Sequence, residues 1–331
     1  MSAASLGGRL RRVALRQSYA FALVLLVVTV AVNYYLQPNF FQPGLLSGNL
    51  LLFVPLMLVA VGQTVVVIGG GIDLSLGAIV SMANVIIVTL MAQEPSASRI
   101  LLALGAGLGA GILAGALNGF CVAVLRFQPI VTTFATSFVF SGLALYVLPE
   151  PGGTIPPGLQ GFYYTNPLGL PMVLWVVIVV LLLWNLLRST RYGPYLYATG
   201  GRDLSAFVSG VPVSSVRFLS YCIAGLMAAL AALALALSTG TGNPIGGTEL
   251  MLQSIVAVVL GGTRLSGGQG GVVGSIIGVV ILSLIQSIVS FSPAPSSWQT
   301  LINGLIVVAA LAGPGLFALL RRGVRTRSGS G

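Results

Sequence analysis

The sequence predicts an all-α integral membrane protein with about ten transmembrane helices in two pseudo-symmetric halves. Three observations carry that expectation. Of 331 residues, 56% are hydrophobic and 6% charged, with a mean hydropathy of +1.03, whereas soluble domains carry roughly a quarter charged residues. Apolar runs of spanning length recur along the chain. Between two of them lies Gly69-Gly70-Gly71-Ile72-Asp73-Leu74-Ser75-Leu76-Gly77, and residues 70–77 align with Gly261-Gly262-Thr263-Arg264-Leu265-Ser266-Gly267-Gly268, identical at five of eight positions. Val65 and Val67 then fall on Val256 and Val258. In a chain with 44 Gly, coincidence is the plain alternative. Glycine clusters at membrane depth allow close backbone approach or a broken helix. Two breaks at corresponding places point to a pathway between repeats.

Residues 1–18 form a basic tail with Arg9, Arg11, Arg12 and Arg16. The following run, 19–36, ends in Tyr34 and Tyr35 and lacks a clear small-x-small cleavage site, so it reads as a first membrane helix rather than a signal peptide. A crossing needs about 20 apolar residues. By that measure the membrane domain, 19–320, has further spans at 49–68, 74–91, 101–125, 129–148, 169–188, 217–238, 250–263, 271–291 and 300–320. A second short tail, 321–331, follows.

Arginine placement tests the count. With both termini in the cytoplasm, the inner loops carry Arg126, then Arg188, Arg191, Arg202 and Arg217, then Arg264, then Arg321, Arg322, Arg325 and Arg327. The outer loops hold Arg99, Glu94, Glu150 and Glu249. An even number of crossings satisfies the positive-inside rule. Because the arginines mark helix ends instead of one basic face, the net charge of +10 gives no reason to expect nucleic acid.

Two loops stand out. The Pro- and Gly-rich outer loop, 148–168, is expected to hold no regular helix, with Phe162, Tyr163 and Tyr164 at the membrane surface or against a partner. The inner loop, 188–217, contains Asp203-Leu204-Ser205-Ala206-Phe207-Val208-Ser209-Gly210. That stretch suits a short helix with Asp203 near its start and Gly210 beyond its end. Leu204, Phe207 and Val208 share one face, which fits either a lipid surface or a soluble partner.

Composition also excludes chemistry. The chain has no Lys and no His, hence no lysine-bearing phosphate loop, no Schiff-base amine, no His-ligated metal and no Ser-His-Asp triad. Cys121 and Cys222 sit in apolar runs and read as small buried hydrophobes. No enzymatic site is expected, and no cofactor bound by this chain.

Four motifs resemble the permease subunits of bacterial ATP-driven (ABC) importers for pentoses and hexoses, within a superfamily that also carries branched-chain amino acids and nucleosides. They are residues 70–77; Leu117-Asn118-Gly119 with Gln128-Pro129-Ile130-Val131-Thr132-Thr133; Arg191-Tyr192-Gly193 with Tyr197-Ala198-Thr199-Gly200-Gly201 and Ser209-Gly210-Val211; and Val259-Leu260-Gly261-Gly262-Thr263 with Leu265-Ser266-Gly267-Gly268. The resemblance implies a type II-like importer permease in the bacterial inner membrane. It implies a pore formed with a second permease subunit, a periplasmic sugar-binding protein, and a separate cytoplasmic ATPase that uses ATP and magnesium. It further implies that the third motif, here Gly200, Gly201, Arg202, Asp203, Leu204, Phe207 and Gly210, docks on that ATPase.

A sugar needs hydroxyl and amide partners along its path. Asn118, Thr132, Thr133, Thr136 and Gln253 are pathway candidates beside Asp73, with Gln63, Thr64, Asn84, Ser137, Gln286 and Ser287 also at membrane depth; interhelical hydrogen bonding is the structural alternative for each. Asp73 has three readings: a cap for the helix after the glycines, part of a gate, or an ion-coupling acid. Its alignment with Arg264 suggests an ion pair between the halves. Gly70, Gly71, Gly77, Gly261 and Gly262 are expected to serve the backbone. The main rivals are an ABC permease for nucleosides or branched-chain amino acids and a secondary transporter coupled through Asp73.

Overall fold

The computed structural model describes residues 22–92 and 96–291, plus four positions within 301–308. Among the described residues the fold is helical. Its helices are α1 (Ala22–Leu36), α2 (Pro43–Leu51), α3 (Val54–Ile68), α4 (Leu76–Ala92), α5 (Ala97–Gly119), α6 (Pro129–Val147), α7 (Pro157–Tyr163), α8 (Met172–Ser189), α9 (Tyr192–Gly201), α10 (Asp203–Val208), α11 (Val213–Thr239), α12 (Thr248–Leu260) and α13 (Val272–Phe291).

Every expected span as far as residue 291 coincides with a helix. Five are long and apolar enough to cross a membrane, and α2 with α3 makes a sixth, bent by 41°. The bend falls just before Pro55, which lacks the N–H a continuous helix would use. α1, α4 and α12 are shorter apolar helices. The tenth expected span, 300–320, and both tails lie almost wholly outside the described residues.

α3 is apolar apart from Gln63 and Thr64, and every one of its residues is buried, as befits a helix with no solvent or lipid face. It is flanked by α11, α12 and α13. The longest helix, α11, also packs on α4 and α5. Gly107, Gly111, Gly115 and Gly119 recur every fourth residue and form one stripe along α5. A Cβ added at Gly111 or Gly115 would collide with α11 backbone at Gly225 or Tyr221, and one at Gly225 would strike the Gly111 carbonyl. This is small-residue packing of the kind that lets helix backbones meet in lipid. Replacing Gly115 with Leu is therefore expected to separate α5 from α11, read as loss of the monodisperse detergent-solubilised species. Gly105, which has no atom near its Cβ position, is expected to accept Leu.

The outer loop corrects one expectation. It contains a two-turn helix, α7, because the prolines stand at its start, where a missing N–H costs nothing. Tyr163 is buried and donates its hydroxyl to the Leu51 carbonyl (3.1 Å), while Tyr164 reaches the Ser238 carbonyl (3.0 Å). Both rings tie the loop to the bundle; Phe162 is exposed.

Candidate functional site

α3 and α12 end in the same way. Gly69 and Gly261 share φ −70° and ψ 0°, and Gly70 and Gly262 follow at φ +85° and +82°. That left-handed turn suits glycine alone at low cost. The capping bonds match as well: Gly70 N–H to the Val67 carbonyl and Gly71 N–H to Val66 at one break, Gly262 N–H to Val259 and Thr263 N–H to Val258 at the other. The two breaks are thus structurally equivalent, one residue out of the register suggested by letter identity. In the structural register Asp73 corresponds to Leu265, not to Arg264.

The expected Asp73–Arg264 pair is not formed. Arg264 is exposed while Asp73 is fully buried. The Asp73 carboxylate turns back into its own loop, where Oδ1 accepts the Ser75 N–H (2.8 Å) and the Ser75 hydroxyl (2.6 Å). This is an Asx turn leading into α4, whose N-cap position is taken by Ser75, so Asp73 braces the cap residue and does not bond the helix's own free N–H groups. Asp73→Asn keeps the acceptor, so its melting temperature should stay near wild type. Asp73→Ala strips the buried Ser75 N–H and hydroxyl of their acceptor and should lose about 1–3 kcal/mol, seen as a lower melting temperature in the same detergent.

From Ser75 a polar chain runs outward. Asn118 Nδ2 donates to the Ser75 hydroxyl (2.7 Å), and the Thr136 hydroxyl donates to Asn118 Oδ1 (2.7 Å). Thr133 accepts the Leu74 N–H (2.9 Å) and donates to the Pro129 carbonyl (2.9 Å). The structure therefore brings Asp73, Asn118, Thr133 and Thr136 together, locking the first break to α5 and α6. Thr132 bonds only within its own helix, to the Gln128 carbonyl (2.9 Å). Gln253 lies apart on α12, 3.4 Å from Glu249. Among the other polar positions, Thr64 bonds Ser275 (2.7 Å) and Asn84 bonds the Ala232 carbonyl (3.2 Å). Gln63 is buried with both amide atoms unpartnered.

The inner loop meets both breaks. α9, which the sequence reading did not foresee, is wedged between them: a Cβ at Gly200 would strike the Ile68 carbonyl and come within 2.7 Å of the Gly268 nitrogen. The Gly268 N–H itself donates to the Ile68 carbonyl (2.9 Å), and Tyr197 donates to the Gly270 carbonyl (2.8 Å). Tyr192 contacts Ser220 (2.8 Å), and burial pushes its phenol up to about 12. Gly77 makes a second close approach, its Cβ position lying against the Gly247 carbonyl.

Past the extended Arg202, α10 forms over the expected stretch. Asp203 accepts the Leu204 N–H (2.8 Å) and pairs with Arg217 (3.3 Å), while Gly210 turns at φ +82°. Leu204, Phe207 and Val208 are 74%, 67% and 80% exposed. A cavity of about 550 Å³ opens beside them, bounded by Gly70, Arg126, Gln128, Asp203, Phe207 and Arg217 among others. Two of the arginines assigned to different inner loops, Arg126 and Arg217, thus line one cavity. Gly152 and Gly242, hydrogen-bonded to each other, join two loops at the other.

Residues 45–311 match the family described as branched-chain amino acid transport system / permease component. The ribose import permease protein RbsC of Escherichia coli is 32% identical over 88% of this chain and 91% of its own length. That of Bacillus subtilis is 35% identical over 87% and 89%. The fructose import permease protein FruG of Bifidobacterium longum is 28% identical over 93% and 91%. No solved structure matches.

Proposed function

Because the chain belongs to the permease-component family of branched-chain amino acid transport systems, we propose that it is the membrane-spanning subunit of an ATP-driven importer and that its cargo is a monosaccharide. The sugar assignment draws on relatives named for ribose and fructose import. In this reading a binding protein outside the inner membrane delivers the sugar, a second permease subunit completes the pore, and both termini face the cytoplasm. ATP and magnesium are used by a separate ATPase.

One observation carries the coupling. α10 presents three large apolar side chains outward, and α9, directly before it in the chain, touches the backbone of both glycine breaks. A partner that moves α10 therefore moves the end of α3 and the loop between α12 and α13 together. Asp73, Asn118, Thr133 and Thr136 hold the first break in shape, a structural duty next to the pathway. Thr132 and Gln253 are weaker candidates because they join no network across helices.

The test is uptake of labelled ribose, fructose and leucine by cells expressing the permease with its ATPase and binding protein. Sugar accumulation that withstands an uncoupler but stops on ATP depletion is expected. Leucine accumulation would replace the cargo, and collapse with the uncoupler would replace the mechanism by ion coupling through Asp73.

A further inference from the structure

Tyr221 lies early in α11, one turn after Arg217 and on the same face. Its side chain is 1% exposed, yet its hydroxyl has no hydrogen-bond partner. The hydroxyl abuts the first break: a Cβ on Gly71 would come within 2.6 Å of it. Arg217 lines the same small cavity as Tyr221, and Asp73 Oδ2, two residues past Gly71, is likewise buried and unpartnered. A buried hydroxyl left bare is costly, so the Tyr221 hydroxyl calls for an occupant.

Space for one exists. Tyr221 lines a cavity of about 10 Å³, enough for a single water. Its walls include Gly70, Val122, Pro129 and Arg217, and these same residues line the 550 Å³ cavity at the inner end. The larger space falls within the roughly 300–1,000 Å³ of small-molecule sites. Phe127 and Phe207 offer it aromatic faces, while Gln128, Asp203, Arg126 and Arg217 offer donors and acceptors. Aromatic faces for C–H groups and planar polar groups for hydroxyls are what a neutral polyol needs.

We propose that Tyr221 offers its hydroxyl to a hydroxyl of the departing sugar where the water-sized cavity meets the inner vestibule, as a specificity-determining contact on the exit side. The proposal rests on the monosaccharide reading above. The space beside the phenol is no larger than a water, so the vestibule has to widen by movement of α10 before a sugar reaches it.

Tyr221→Phe provides the test, because the deleted hydroxyl bonds to nothing in the protein. A merely structural Tyr221 would then give an equal or higher melting temperature and unchanged uptake. The expected result is an unchanged melting temperature with labelled ribose uptake at least tenfold lower, while ATPase activity stimulated by the binding protein persists. Monodeoxy riboses supply the second reading. One of them should be transported less well than ribose by the wild-type complex and as well as ribose by the variant. Wild-type uptake with an unaffected variant overturns this assignment alone. Absence of sugar uptake by the wild-type complex overturns the monosaccharide reading beneath it.

Discussion

A Gly200→Ala substitution is expected to cut ATP-driven uptake at least tenfold, while Gly201→Ala, one residue on, stays within about twofold of wild type. The difference is geometric. A methyl group on Gly200 has nowhere to go, since the Ile68 carbonyl and the Gly268 nitrogen occupy its place and both are backbone. No atom lies within 4 Å of the corresponding position on Gly201. Overpacking of this kind costs about 1–3 kcal/mol, and relief requires α9 to back away from both breaks. A melting curve and an uptake assay on the two variants check the result. Equal behaviour of the pair would show that α9 does not need its tight seat.

The second large effect concerns α10. Replacing Leu204 and Phe207 together with Ser is expected to abolish co-purification of the ATPase and reduce uptake more than tenfold, with the permease still monodisperse. These side chains are mostly exposed, so the fold loses little; surface changes of this sort usually stay within about 0.5 kcal/mol. Leu204 and Phe207 also border the inner cavity, which makes the ATPase readout the decisive one. If the ATPase remains bound and uptake persists, another surface carries the coupling.

Much of this was legible in the sequence, for reasons that can be named. Residues 69–71 and 261–262 announced themselves because glycine is the residue that turns through positive φ without strain. The short helix at 203–208 was readable from Asp203, Gly210 and the spacing between them. What failed was register. The identical Leu-Ser pairs at 74–75 and 265–266 set an alignment, but backbone geometry counts from the helix end, and that moved Arg264 out of line with Asp73. The glycine stripe of α5 was present in the sequence at every fourth position, yet only the packing reveals that α11 needs it. The unpartnered Tyr221 hydroxyl gave no sequence signal, because burial and bonding of a tyrosine depend on contacts distant in the chain.

The bond from the Gly268 amide to the Ile68 carbonyl bears on how the chain is made. Ile68 ends a helix laid down early in synthesis, but the group that completes its terminus arrives only after the second half has been translated. Until then the first half enters the bilayer with an unfinished end. A split gene encoding the two halves as separate polypeptides should consequently yield a stable N-terminal portion only when the C-terminal portion is produced in the same cell.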